Sequence, residues 1–411
     1  MYKTKLSFSI LFICACISLF SIAPVSIRGF ITVAISDIII GILLIYGFFI
    51  NRSYSKSPIS YFVLAFVLST YISGLVNVLT DHTFFPKNFL TNYIRIVGLL
   101  GMVFLLPSFL NKIGHKQIAK STLWILRIHV ALIFLDAYFV NPFTFVGSKI
   151  ALAESGIDYH RPRGMFAEPS FFGIYAGLSS LYILQVEKNL NHIIFTFVDI
   201  LMIILSLIIS TSVSSIAFML LFLIEILRYR KLRFNTLSLL VISSTLVFVL
   251  SSSFQTAKSA GLNAKYIIEK VGQLRLGAKD ENIRVRILGG FIFASKIIEE
   301  SPFLGIGLGG KNQDRVLRRM DILYADGTSS EEMAFGPGSV MPISVVVSTG
   351  LIGLVFYLLV FFSVVFKVKS RLVGKSLVAV FFMWGNAFAP IVWWYVSLGI
   401  SMSNKKLNTI N

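Results

Sequence analysis

Cysteine is almost missing from this chain: Cys14 and Cys16 are its only two in 411 residues. Two positions apart on a helix, they fall on different faces. That disfavours a disulfide or a metal pair and leaves small apolar packing residues. Charge is scarce as well, at 14% of residues against 56% hydrophobic, a balance that excludes a soluble globular protein. Acids are the scarcer sign, 19 against 37 bases, for a net charge of +18. No His-x-x-x-His, cysteine pair or acidic cluster has the spacing of metal ligands. There is no phosphate-binding G-x-x-x-x-G-K-S/T loop and no G-x-S-x-G elbow. An enzyme built on this chain therefore draws its driving force from an activated substrate, and no cofactor is expected.

Apolar runs are what the chain has in quantity. A membrane span takes about 20 such residues. Stretches of this kind lie at roughly 6–23, 29–50, 59–79, 91–110, 121–140, 169–186, 192–210, 212–227, 235–253, 341–366 and 373–402. In lipid, backbone polar groups have to be satisfied within the segment, so helices are expected. The last stretch contains Asn386 and Pro390 and reads as one tilted helix or as two short ones. The fold class is thus an all-α polytopic membrane protein with eleven or twelve transmembrane helices. Lys3 and Lys5 give the first run the look of a signal peptide, but Ala23-Pro24-Val25 is a poor cleavage site and the run reads as a retained helix.

The rhythm of spans stops after Ser253 and resumes near Met341. Three regions follow. Residues 1–253 form a membrane domain of about nine helices with a loop at 141–168. Residues 254–340 form one large loop, and 341–411 carry the last helices and a tail. Basic residues orient the spans, because short cytoplasmic loops collect Lys and Arg. Arg52 and Lys56, then Lys112, Lys116 and Lys120, then Lys188, then Arg228 to Arg233, then Lys367 to Lys375 all fall on alternate connections. That pattern puts the 141–168 and 254–340 loops outside, in the periplasm of a Gram-negative cell, with an amphipathic helix in the larger one. The large loop holds about a dozen Lys and Arg residues of its own. Long loops are exempt from the orientation rule, so these cations suit anionic lipid headgroups, a diphosphate substrate, or plain solvation.

Two external segments carry the chemistry. The first runs Arg161-Pro162-Arg163-Gly164-Met165-Phe166-Ala167-Glu168-Pro169-Ser170. Pro162 and Gly164 punctuate the backbone, so two guanidiniums are offered from a constrained turn. Pro169 suits a first helical turn and puts Glu168 near the N-cap, where it reads either as a cap or as a general base beside two arginines. Arginine's forked donors match diphosphate oxygens. The second segment is Asp280 to Glu300. It predicts a short amphipathic helix on the outer membrane surface, with Asn282 as N-cap, a stop at Ser301-Pro302, and an apolar face of Ile283, Ile287, Phe291, Ala294 and Ile298. Arg284 and Arg286 lie about 200° apart on it, so they bind an anion at the first turn or snorkel at the interface. Gly305, Gly307 and Gly310 spell G-x-G-x-x-G, but with a helix rather than a strand before them they do not make a dinucleotide site. A tight backbone turn fits better. Among polar residues inside spans, Arg127 and Glu225 are near enough to helix ends to snorkel, while Asp136 and Arg95 are expected to face an internal cavity.

These motifs resemble the Wzy-type O-antigen polymerases, within the O-antigen ligase and polymerase superfamily. The carriers are Arg161-Pro-Arg163-Gly164-Met-Phe166-Ala-Glu168-Pro169-Ser170, Arg284-Val-Arg286 leading to Ser301-Pro302-Phe303-Leu304-Gly305-Ile306-Gly307, and Ser348-Thr349-Gly350-Leu351-Ile352-Gly353. The arginine-to-glycine spacing found in some members is not reproduced from Arg161, Arg163 or Arg284. The resemblance implies a metal-independent glycosyltransferase of the bacterial inner membrane. It would move a growing glycan from undecaprenyl diphosphate onto a lipid-linked repeat unit, with Arg161, Arg163, Arg284 and Arg286 on the diphosphate. Glu168 would be the catalytic residue. A chain-length regulator protein is an allowed partner, and nucleic acid is not. The ligases of the superfamily typically carry a histidine in the large loop, and none occurs here between Ser253 and Met341. Ligase therefore stays second, and a flippase of lipid-linked oligosaccharide third.

Overall fold

The computed structural model describes residues 2–19, 25–27, 31–33, 35–46, 58–80, 86–138, 162–166, 168–210, 212–230, 290–307, 341–367, 371–383 and 389–404. Among them are twelve helices and one small hairpin. The helices are α1 (Tyr2–Ser18), α2 (Ile35–Tyr46), α3 (Pro58–Thr80), α4 (Pro86–Ile113), α5 (His115–Tyr138) and α6 (Pro169–Leu190). Then come α7 (Phe197–Ile209), α8 (Val213–Arg230), α9 (Gly290–Glu300), α10 (Met341–Lys367), α11 (Arg371–Met383) and α12 (Pro390–Asn404). Four stretches are long and apolar enough to cross a membrane: Pro58–Asn77, Ile96–Ile113, His115–Ala137 and Met341–Phe366. Shorter apolar helices cover Ser9–Ser18, Ser36–Tyr46, Phe197–Ile209 and Leu372–Phe381. The protein is thus a helical membrane protein. The run at 235–253 lies outside the described residues.

One boundary differs from expectation, and one open alternative is decided. The second span was expected from residue 29, but β1 (Val25–Ile27) and β2 (Ile31–Val33) pair antiparallel there, with Val25 opposite Val33, and α2 starts only at Ile35. The β-branched residues on both arms, joined across Arg28-Gly29-Phe30, favour a hairpin over a helical turn. At the other end of the chain, the stretch at 373–402 is two helices, α11 and α12, with Pro390 opening the second.

Bilayer helices gain nothing from hiding apolar surface from lipid, so close packing and polar contacts hold them together. Gly173 and Gly177, four apart on α6, face Ser215 and Phe218 of α8, and a Cβ on either glycine would overlap them. Farther in, Phe66, Tyr357, Phe381 and Phe361 form a chain of ring contacts across α3, α10 and α11, and Trp393 of α12 stacks on Phe66. Two ion pairs join helices within the bundle: Arg127 donates to both oxygens of Asp199 at 2.7 and 2.9 Å and lies over the Trp124 ring. Lys375 donates to Glu225.

Contacts between helix ends define two ends of the bundle. At one, Ser401 donates to Asn111, Gln185 accepts the Leu372 amide, and Glu225 meets Lys375. Lys112, Lys116, Lys188, Arg228 and Lys375 gather at this end. At the other end lie the final turn of α5, the first turn of α6, the α7–α8 connection and the segment after α9.

Candidate functional site

The turn at 162–166 is fastened to the bundle at both of its ends. Asp136, in the last turn of α5, is 1% exposed, and its Oδ2 accepts the backbone N–H groups of Arg163 (2.7 Å) and Gly164 (2.9 Å). Gly164 has φ 56, a left-handed conformation that glycine adopts without a Cβ penalty. Phe166 donates its amide to Arg163 O at 3.1 Å, closing the turn. Its ring is buried, with centroids 4.8 Å from His129, 5.7 Å from Tyr175 and 5.8 Å from Phe172. Beneath it, His129 Nε2 and Ser18 Oγ are 2.7 Å apart. Asp136 was expected to face a cavity. It grips backbone instead, because a buried carboxylate needs donors and two amides supply them.

Arg163 emerges half-buried from this turn, and Glu168 follows at the head of α6. Glu168 is the N-cap residue by conformation, with Pro169 first in the helix, but its side chain makes no capping bond. The carboxylate is exposed and accepts only the Ser170 hydroxyl at 3.0 Å among its described contacts. Glu168 thus stands at the N-cap as expected, and its carboxylate is not engaged in a capping bond. Arg161, Arg284 and Arg286 lie outside the described residues, as does Asn282.

A cluster of hydroxyls that the sequence reading did not single out abuts the same helix head. Ser212 and Ser215 are 2.7 Å apart, Ser210 donates to Ser215 at 2.6 Å, and Ser214 donates to Ser170 O at 3.2 Å. The run Ser210-Thr211-Ser212-Val213-Ser214-Ser215 was the available signal, since small residues let α8 approach Gly173.

The segment Ser301–Gly307 does form a tight turn, and it penetrates a break in α10. Gly350 leaves helical geometry there, at φ 65 and ψ −167. Ile306 donates to Val347 O at 2.9 Å, while Pro302 O accepts the Leu351 amide at 2.9 Å and Phe303 O the Ile352 amide at 3.4 Å. Backbone groups stranded by the break are thus satisfied by the inserted turn. From α3, Ser73 donates to Leu304 O and, at 3.1 Å, lies against Ser348 O, and Asn77 donates to Gly305 O at 3.2 Å. A Cβ on Gly305 or Gly350 would collide with the opposing backbone.

α9 ends at Glu300, before the expected stop at Ser301-Pro302, and its expected face is met in part: Ala294 and Ile298 do pack inward, Phe291 does not, and Ile283 and Ile287 lie outside the described residues. Phe293, Ala294 and Ile297 pack on Ile306, Ile343, Val346 and Val347, while Phe291 is 59% exposed. The helix is apolar on two sides, and docking against α10 selects the Phe293–Ile297 side. Among the described residues no three His, Cys, Asp or Glu side chains group as metal ligands. In comparisons with known proteins, no protein-family model and no curated protein matches the chain.

Proposed function

We propose that this protein is a polysaccharide polymerase of the O-antigen type. The observation that carries the reading is the fixed turn that presents Arg163 and an uncapped, exposed Glu168 together at one end of the bundle. Arg163, with Arg161, Arg284 and Arg286 by the resemblance of their motifs, binds the diphosphate of an undecaprenyl-linked glycan. A hydroxyl of the incoming lipid-linked repeat unit attacks the anomeric carbon. The new glycosidic C–O bond forms as the old C–O bond to diphosphate breaks, and the electron pair leaves with undecaprenyl diphosphate. Glu168 takes the hydroxyl proton. Stabilisation of the departing diphosphate by fixed cations is the larger contribution, and the base adds about 10²–10⁴-fold.

Orientation follows from charge. The end that gathers Lys112, Lys188, Arg228 and Lys375 is cytoplasmic by the positive-inside rule, which turns Arg163 and Glu168 to the periplasm. The protein would then be a multi-pass inner-membrane enzyme of eleven or twelve spans, working with or without a chain-length regulator. Deleting the gene and running the lipopolysaccharide on a gel tests the reading. The expected result is a single core-plus-one-repeat band, with the ladder restored by the wild-type gene. Unmodified core with polymer left on undecaprenyl diphosphate would make it a ligase, and an unchanged ladder would overturn both.

A further inference from the structure

The geometry points to Asp136 as a positioning residue that holds the turn presenting Arg163 to an anionic substrate. The inference rests on the proposed function for the identity of that anion and adds the residue that sets the arginine in place. Asp136 is buried beside the apolar side chains of Ile133 and Ala137, where a carboxylate is costly unless it is used. It is used on backbone 27 residues away in sequence: one oxygen receives two consecutive amides, those of Arg163 and Gly164. Consecutive N–H groups ending in a left-handed glycine make a concavity that binds anions, and here the chain's own carboxylate fills it.

The consequence is directional. The two bonds fix the peptide groups on both sides of the Arg163 Cα, and so fix the direction in which its side chain leaves the backbone. Phe166, buried among His129, Phe172 and Tyr175, fastens the far end of the turn. A fixed backbone root removes the turn's share of the ordering cost when an anion binds, leaving only the arginine side chain's own rotamers to be ordered. Asp136 lies beneath the turn and reaches the substrate only through Arg163.

The test uses the full chain in lipid nanodiscs with Asp136→Ala, Asp136→Asn, Arg163→Ala and the double variant Asp136→Ala with Arg163→Ala. Hydrogen exchange of the peptide covering residues 162–166 reports the turn. Turnover of an undecaprenyl-diphosphate-linked repeat unit reports KM and kcat. Asp136→Ala is expected to speed exchange in that peptide and raise KM roughly tenfold or more, the scale of losing one well-placed hydrogen bond to a charge. Asp136→Asn keeps an oxygen acceptor and is expected to keep most of the protection and a KM nearer wild type. The double variant is expected to be no worse than Arg163→Ala, because Asp136 acts through that arginine. Unchanged exchange in Asp136→Ala, or losses that multiply in the double variant, would overturn the assignment. Should Asp136→Ala fail to insert, Asp136→Leu carries the same comparison. A wild-type protein that turns over no lipid-linked glycan would overturn the polymerase reading instead, and the exchange comparison, which needs no substrate, would still decide whether Asp136 holds the turn.

Discussion

Glu168 has the backbone of a helix cap without the cap's bond, and the two roles part company under substitution. Glu168→Gln removes the proposed base while changing no capping contact. Activity is expected to fall by about 10²–10⁴-fold, while thermal stability moves by less than about 0.5 kcal/mol, as for a surface substitution. A large stability loss with proportionate activity would return Glu168 to a structural role. Arg163→Lys keeps the charge and discards the fork, so KM for the lipid diphosphate is expected to rise in steady-state assays with little change in expression. At this scale the sequence was partly legible. Pro162, Gly164 and Pro169 marked the turn and the helix start where the structure has them. Asp136 was visible only as a costly charge, because its partners are backbone amides 27 and 28 residues on, which no local pattern encodes.

The element with the most exacting geometry is the broken helix α10. Gly305 and Gly350 each have positive φ, and each faces the other strand of backbone where a Cβ would fit. Gly350→Ala combines the strain of a positive-φ, extended backbone that essentially only glycine adopts, about 1–3 kcal/mol, with a collision against Phe303 carbonyl atoms. It is expected to lower the melting temperature and loosen the turn at 301–307. Ser73→Ala, which removes the hydroxyl donor to Leu304 O without a collision, is expected to cost about 1 kcal/mol. Thermal unfolding of the two variants in the same detergent checks the order, and equal effects would mean that the turn is not wedged into the break. Reading the sequence located the glycines and the tight turn but treated Ser348-Thr349-Gly350 as the head of a continuous span. A glycine inside an apolar run does not announce a break by itself. What decides is the second chain segment that satisfies the stranded carbonyls and amides, and that segment lies some forty residues away. The same limit applies to α9, where an apolar residue on either side satisfied the periodicity and packing on α10 chose between them.

Over the whole molecule, charge and apolar length were the most legible features. Spacing of apolar runs anticipated a helical membrane protein, and Lys112, Lys116, Lys188, Arg228 and Lys375 do collect at one end of the bundle, while Arg163 lies at the other. Local hydropathy could not foresee the β1–β2 hairpin, because apolar arms of three residues each merge with the apolar runs on either side whichever structure they adopt. Cys14 and Cys16 are both buried, so single introduced cysteines can report sidedness with little background. Lys296→Cys is expected to react with a membrane-impermeant maleimide in intact spheroplasts, and Lys188→Cys only after lysis. The reverse pattern would place Arg163 and Glu168 in the cytoplasm. The most direct measurement is purified protein in nanodiscs given one synthetic undecaprenyl-diphosphate-linked repeat unit, with products separated by size. The expected result is a ladder of lipid-linked oligomers with one undecaprenyl diphosphate released per bond formed, lost in Arg163→Ala. Passage of the intact repeat unit across the membrane with no new glycosidic bond would contradict it.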